Sequence, residues 1–347
     1  MSQTPTRLTG ASSVGAVFLI ALLLPAHAVA QQSSADFFRG KTINITVGFS
    51  AGGGYDLHAR VLARHFGRHV PGEPAVVVKN QPGAGGLGMV NSFYSNAVKD
   101  GTELATFDRG IPLDPLLHGT QSRFDPLKLV WIGSADNDAS TCISWHSSPV
   151  KTIDDLMKQE LIVGGTGSTA NSVVFPRVLN TVLGTKFKVI SGYPGSAEAL
   201  IGMERGEIHG FCGFGFATLQ SLRPDWVRDN LVNQLVQLAV KKNPDHPEVP
   251  LALDLAKSDA DRQAIRLVVS PNLFARPFAA PPGLPAARLK ELRKAFDATV
   301  RDPEYQADAT ARGLHTELVT GQEIEALVRQ LYETPKEVVE RMKEATK

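Results

Sequence analysis

A short β-branched stretch, Ile43-Asn44-Ile45-Thr46-Val47, ends at Gly48-Phe49-Ser50-Ala51 and three consecutive glycines, Gly52, Gly53 and Gly54; a helical pattern begins at Asp56. Few arrangements accept that order. A strand that stops on bare backbone and turns into a helix is the opening of an α/β unit. Its loop presents free N–H groups at the positive end of a helix dipole, which suits a small anion. Asp56 falls at the N-cap or in the first turn. Leu57, Val61, Leu62 and Phe66 share one face of the helix that follows.

The same order recurs. Residues 74–78 read as a second strand, 80–86 as a loop, 87–98 as a helix and 102–107 as a third strand. This predicts a parallel sheet with right-handed crossovers. A second set begins near Val130. Its strands are at 130–133, 141–145, 161–164, 187–190 and 208–212, and its helices at 152–158, 172–183 and 197–205. Glycine-bearing loops follow at 165–171, 192–196 and 213–216. Further on, 266–269 and 272–275 read as strands, and 285–300 and 321–332 as helices that pack on the first half. Two α/β halves would then face each other across a cleft, with ligand beyond the carboxyl ends of the strands.

Arg7 is the only charge before Asp36; an apolar run over 14–24 and Ala28-Val29-Ala30 precede Gln31. That is the pattern of a secretory signal at 1–30, with an apolar run too short to span a bilayer. The expected location is the periplasm. Without Arg7, basic and acidic residues balance at 35 each, and no basic stripe appears, which argues against nucleic acid. Cys142 and Cys212 are the only cysteines. In an oxidising compartment they either pair or stay as two buried thiols.

Gly83-Ala84-Gly85-Gly86-Leu87-Gly88 satisfies G-x-G-x-x-G. Asn80-Gln81-Pro82 separates it from the strand, so the tight turn of a dinucleotide site is missing. There is no P-loop, G-x-S-x-G, H-E-x-x-H or C-x-x-C. His58 and His65 lack a third metal ligand nearby, and Ser168 and Ser196 lack the signature of an activated nucleophile. No positive sign of an enzyme, cofactor or metal centre emerges.

Four segments resemble, in order and spacing, the substrate-binding receptors of tripartite tricarboxylate transporters, the TctC or Bug group. They are Phe49-Ser50-Ala51-Gly52-Gly53-Gly54-Tyr55-Asp56; Val77-Val78-Lys79-Asn80-Gln81-Pro82-Gly83-Ala84-Gly85-Gly86; Lys99-Asp100-Gly101-Thr102; and Tyr193-Pro194-Gly195-Ser196-Ala197-Glu198-Ala199-Leu200 ahead of Gly206-Glu207-Ile208. The resemblance covers nearly all of 31–347. It implies an α/β, type II periplasmic binding protein fold. Lobe 1 would be 31–137 with 270–347, and lobe 2 138–269, closing about hinges near 135–141 and 268–273. It further implies a monomer that captures a small organic carboxylate for membrane permease subunits and does no chemistry. Such receptors hold the carboxylate with main-chain N–H groups, hydroxyls and ordered waters.

Carried over, the first-lobe contacts would be Ser50, Ala51, Gly52, Gly53, Gly54, Tyr55 and Asp56, with Gly85 and Gly86 nearby. The second-lobe contacts would be Thr166, Gly167, Ser168, Thr169, Tyr193 and Ser196. In this fold Cys142 and Cys212 would sit on adjacent strands and form a disulfide. The chain departs from the pattern at Tyr55, where a small hydroxyl residue is usual, at Phe107-Asp108-Arg109-Gly110, at Phe214 and Phe216, and over 219–243. These departures would suit a flatter or aromatic acid. Arg109 would either pair with its carboxylate or form a structural ion pair with Asp108 or Asp114. Phe214 and Phe216 would line the ligand or fill the core. The alternatives are a secreted enzyme acting on a carboxylate and a ligand sensor for a membrane kinase.

Overall fold

The computed structural model describes residues 1–6, 10, 37–119 and 121–346. The signal assigned to 1–30, with its cleavage point at Gln31, lies outside the described residues apart from 1–6 and 10. In chain order the strands are β1 (Thr42–Val47), β2 (Ala75–Asn80), β3 (Glu103–Thr106), β4 (Val130–Ser134), β5 (Ser140–Trp145), β6 (Leu161–Gly165), β7 (Phe187–Ser191), β8 (Gly210–Gly215), β9 (Val232–Leu238), β10 (Pro277–Ala280) and β11 (Val319–Thr320).

They build two sheets, ordered β11-β4-β10-β3-β1-β2 and β7-β6-β8-β5-β9. Ile43, Ile45 and Val47 of β1 are fully buried, and Ala59, Val61, Leu62 and Phe66 of helix Gly54–Phe66 lie in the same apolar cluster. Thr152 caps helix Ile153–Lys158 in a capping box with Asp155, which satisfies two donors that the helix start leaves open.

The sheets are mixed rather than parallel. β1, β2 and β3 run parallel, but β10 enters antiparallel between β3 and β4. In the second sheet β6, β7 and β8 are parallel, and β5 runs antiparallel to β8 and β9. Val130–Ser134, read as the start of the second set, is thus a strand of the first sheet. The chain enters the second sheet only across residues 135–139. It returns at Ala275 and Arg276, and the two crossings are hydrogen-bonded side by side. Ala275 N–H donates to Asp136 O at 2.8 Å and Ala135 N–H to Arg276 O at 3.2 Å.

Cys142 and Cys212 face each other across β5 and β8 and are joined as a disulfide. The strands expected at 266–269 and 272–275 do not form. Asp259–Val269 is a helix capped by Ser258, whose hydroxyl accepts from Asp261 N–H, and Ser270–Phe274 is a 3-10 helix. Ala264, Ile265, Val268 and Val269 form its buried face. The run Leu267-Val268-Val269 carries no period of its own, so strand and helix could not be told apart there.

Of the late helices, Ala286–Arg301 and Gly321–Tyr332 pack on β4, as expected. The last, Lys336–Ala345, instead lies against Asn171–Leu183 and Asp259–Val269. Its buried Val338, Val339, Met342 and Ala345 join the core cluster that also holds Phe175 and Leu179.

Candidate ligand-binding site

The loops in question leave the carboxyl ends of β1, β2, β3, β6 and β7, and those of the two sheets meet. Ser50 Oγ donates to Glu198 Oε2 at 2.8 Å, and Ser50 N–H to Pro194 O at 3.3 Å. Gly85 N–H donates to Thr166 O at 3.1 Å. Contact between the loops is so close that a Cβ on Gly167 would lie 2.2 Å from Gly85 N. The glycine loop after β1 is shaped by Asp56. Its carboxylate accepts from Gly52 N–H and Arg60 Nε, each at 2.8 Å, and from Asn80 Nδ2 at 2.9 Å. Burial opposes ionisation, but the Arg60 hydrogen bond and those from Gly52 and Asn80 hold the carboxyl below its ordinary range. Asp56 therefore folds the loop onto its own helix.

Between the loops is a small cavity of about 40 Å³, room for roughly three waters. Of the residues named from the sequence as ligand contacts, Gly53, Gly54, Tyr55, Thr166, Ser196 and Phe214 line it. Two stacked aromatic pairs form its walls. Phe49 and Tyr55 lie with centroids 4.9 Å apart at 18°, and Phe211 and Phe214 with centroids 5.1 Å apart at 17°. Thr218 and Ser172 add hydroxyls.

The cationic group in this cavity is Arg276, which is only 2% exposed. Its Nη1 donates to Ala275 O at 2.9 Å and its Nη2 to Thr218 Oγ1 at 2.7 Å, while Nε has no partner. The guanidinium carbon sits 4.7 Å from the Tyr55 ring centroid, a cation–π distance. Asp108 lines the same cavity, and its Oδ1 accepts Gly110 N–H at 2.8 Å. Burial lifts its carboxyl above the ordinary range; Arg276 acts on it only through space. Burial, and then the Asp108 charge, push the Tyr55 phenol up to about 12, so it is neutral at pH 7.

The other expected residues fall elsewhere. Ala51, Gly52 and Ser168 are exposed. Gly85, Gly86 and Gly167 form the loop-to-loop and loop-to-strand contacts behind the cavity. Thr169 has a buried Oγ1 without a partner and lines a separate, very small cavity beside Asn171. Tyr193 leans over Gly164 and Gly202, its hydroxyl 3.4 Å from Glu207 Oε2. Arg109 is 1% exposed but does not line the cavity. Its Nη2 donates to Ser140 Oγ and to Gly213 O, tying the loop after β3 to the second sheet. It forms no ion pair with Asp108 or Asp114 among the described residues. Phe216 stacks on His246 at 4.0 Å, away from the cavity. Sequence reasoning missed Arg276, although one signal was present: it is the only charge from Pro271 to Pro281.

Behind the cavity the crossings carry a polar cluster. Asp136 Oδ1 is 2.7 Å from His315 Nδ1, and Asp136 Oδ2 is 3.9 Å from His58 Nε2. The Asp136 hydrogen bond lifts His315 to about 9; burial lowers His58 to about 3. Burial, with Asp136 beside it, raises Asp138 to about 6.

The architecture has close counterparts among solved structures. The periplasmic binding protein BugD superposes with a TM-score of 0.71 at 21% identity, over 89% of this chain and 98% of that one. The fold is that of the Bug and TctC binding proteins. MatC from Rhodopseudomonas palustris, solved with bound malate, superposes with a TM-score of 0.68 at 18% identity, over 89% of this chain and all of MatC. In sequence, the chain is 24% identical over 322 residues to the UPF0065 protein in the gbd 5′ region of Cupriavidus necator, covering 91% of each. No family model matches the chain.

Proposed function

We propose that this chain is an extracytoplasmic receptor for a small organic carboxylate. It is exported by the signal at 1–30 and hands its ligand to the permease subunits of a tripartite transporter. The observation that carries this reading is Arg276. This buried guanidinium, at a cavity between two sets of loops, feels Asp108, Asp136 and Asp138 only through space, and among the described residues its Nε lacks a hydrogen-bonded carboxylate. A ligand carboxylate supplies it. The malate in MatC and the Bug-type fold support the same class of ligand.

In this reading the lobes are 31–137 with 270–335, and 138–269 with the last helix, Lys336–Ala345, packed on it. They close on ligand about the paired crossings at 135–139 and Ala275–Arg276, and the loop contacts described above belong to the closed form. Gly53, Gly54, Tyr55, Thr166, Ser196 and Phe214 enclose the ligand with Arg276. The receptor does no chemistry. Thr166 and Ser172 hydroxyls bond each other and Thr218 bonds Arg276, so these hydroxyls are not set against a base.

A thermal-shift screen over carboxylic acids tests the reading. A ligand at 100 times its Kd adds about 2.7 kcal/mol to stability. At least one carboxylate should raise the midpoint, and sugars and cationic solutes should not. Stabilisation by an uncharged or cationic solute alone, or turnover of a bound acid, would overturn the assignment.

A further inference from the structure

The closed cavity limits both the size and the charge of what it can hold. Its volume of about 40 Å³ is room for roughly three waters. A carboxylate group alone has three non-hydrogen atoms. Bonded atoms pack closer than separate waters, so one or two further carbons can accompany it and no more. The walls are already committed. Phe49 stacks on the Tyr55 ring and the Arg276 guanidinium sits over it, so that ring offers a ligand no free face. Phe214 is likewise taken up by Phe211. The loops that close the space are joined backbone to backbone, by Ser50 N–H to Pro194 O and Gly85 N–H to Thr166 O. The flatter or aromatic acid that the sequence suggested therefore has no room. The rings pack on one another instead of framing a slot.

The charge is set as closely. Arg276 is 2% exposed, and its Nε donates to nothing among the described residues. Helices Gly54–Phe66, Asn171–Leu183 and Ser196–Glu204 all begin at the cavity, through Gly54, Ser172 and Ser196. Three positive helix ends and a guanidinium favour an anion. Asp108 lines the same space, its Oδ1 accepting Gly110 N–H. A second ligand carboxylate in so small a cavity would lie near it, and like charges in a desolvated site repel strongly.

We propose that the ligand is a monocarboxylic acid of two or three carbons, the size of acetate or propionate, with its carboxylate on Arg276 Nε. This rests on the receptor reading above and narrows it by size and charge.

Calorimetry on the full chain, dialysed free of acetate, decides the matter with acetate, propionate, butyrate, malonate, malate, adipate and benzoate. A ligand of four non-hydrogen atoms binds no more tightly than about 40 µM, so the titrations run to millimolar acid. Acetate and propionate should bind. Butyrate, malate, adipate and benzoate should each be about 5- to 150-fold weaker than the better of those two, the range expected of overpacking. Malonate has three carbons but two charges; it should be weaker than propionate, and Asp108→Asn should narrow that gap. Phe214→Ala should enlarge the cavity and bring butyrate level with propionate. Arg276→Gln should weaken acetate by roughly 10- to 150-fold. If a variant does not fold, the wild-type ranking still decides. Tighter binding of butyrate, malate, adipate or benzoate than of acetate and propionate overturns this inference and leaves the receptor reading standing. So does tighter binding of malonate than of propionate. A folded Phe214→Ala protein with the wild-type ranking removes the walls as the cause of the size limit, and wild-type affinity in a folded Arg276→Gln protein removes the anchor. If no carboxylate in this panel or the wider screen binds, both readings fall.

Discussion

Gly167→Ala should hold the two sets of loops apart without disturbing either sheet. Gly167 does not need a positive φ, so alanine is locally allowed. The obstacle lies across the cleft. The new Cβ would be 2.2 Å from Gly85 N, 2.3 Å from Ala84 C and 2.8 Å from Gly85 Cα. All three are backbone atoms and cannot rotate away. Relief requires a local separation of about 1 Å, which also breaks the Gly85 N–H to Thr166 O bond. Overpacking of this kind costs about 1–3 kcal/mol. If ligand binds only the closed form, that cost appears whole in the binding free energy, a loss of about 5- to 150-fold in affinity. Calorimetry with the tightest acid from the screen measures it, and small-angle scattering of the ligand-saturated variant should report a larger radius than ligand-saturated wild type. Gly88→Ala is the control. Its Cβ meets nothing within 4 Å and it lies inside helix Leu87–Asn96, so it should leave affinity alone and stabilise by about 0.5–1 kcal/mol. An unchanged radius and unchanged affinity in Gly167→Ala would refute the claim that these loops close against each other on ligand.

Replacing Cys142 and Cys212 together with alanine should cost at most about 4 kcal/mol, from the 70-residue separation the bond closes, read as a lower urea midpoint. Stability should peak near neutral pH. Below about 6.5 the unfolded chain protonates His58 while the fold keeps it neutral down to about 3, so stability falls with acid across that window. Asp138, raised to about 6, partly offsets this fall, because the fold holds its proton more tightly than the unfolded chain does. His315 has the opposite sign to His58. Its contribution is complete below about 6.5 and is lost as pH rises towards 9. Urea unfolding from pH 5 to 9 should trace the dome, and a steady rise to pH 9 would contradict the His315–Asp136 assignment.

What the sequence disclosed was local. The glycine loop before helix Gly54–Phe66 and the helix expected at 152–158 each depend on residues within a few positions of one another, and they appear where expected. The partners that define the cavity do not. Ser50 meets Glu198, and Arg276 meets Thr218, through the approach of loops far apart in the chain. Asp56 illustrates the limit from the other side. Its residue type suited a ligand contact, yet three local donors consume its oxygens. The sequence singled out Arg109 as the cation; only the return of the chain beside β4 puts Arg276 at the cavity instead.

The position of β10 has a consequence for how the molecule is made. Phe278 and Ala279 pair with Thr106 and Ala105, and β10 also pairs with β4 on its other side, across nearly half the sequence. A ribosome that has finished β1 to β4 has therefore made a sheet with a strand-wide gap at its centre. Until residues 277–280 emerge, two open strand edges and the apolar side chains of β3 and β4 have nothing to seal them. Contacts this distant in sequence form late and slowly. Under the export proposed above, that delay keeps the first sheet loose and threadable until almost all of the polypeptide exists.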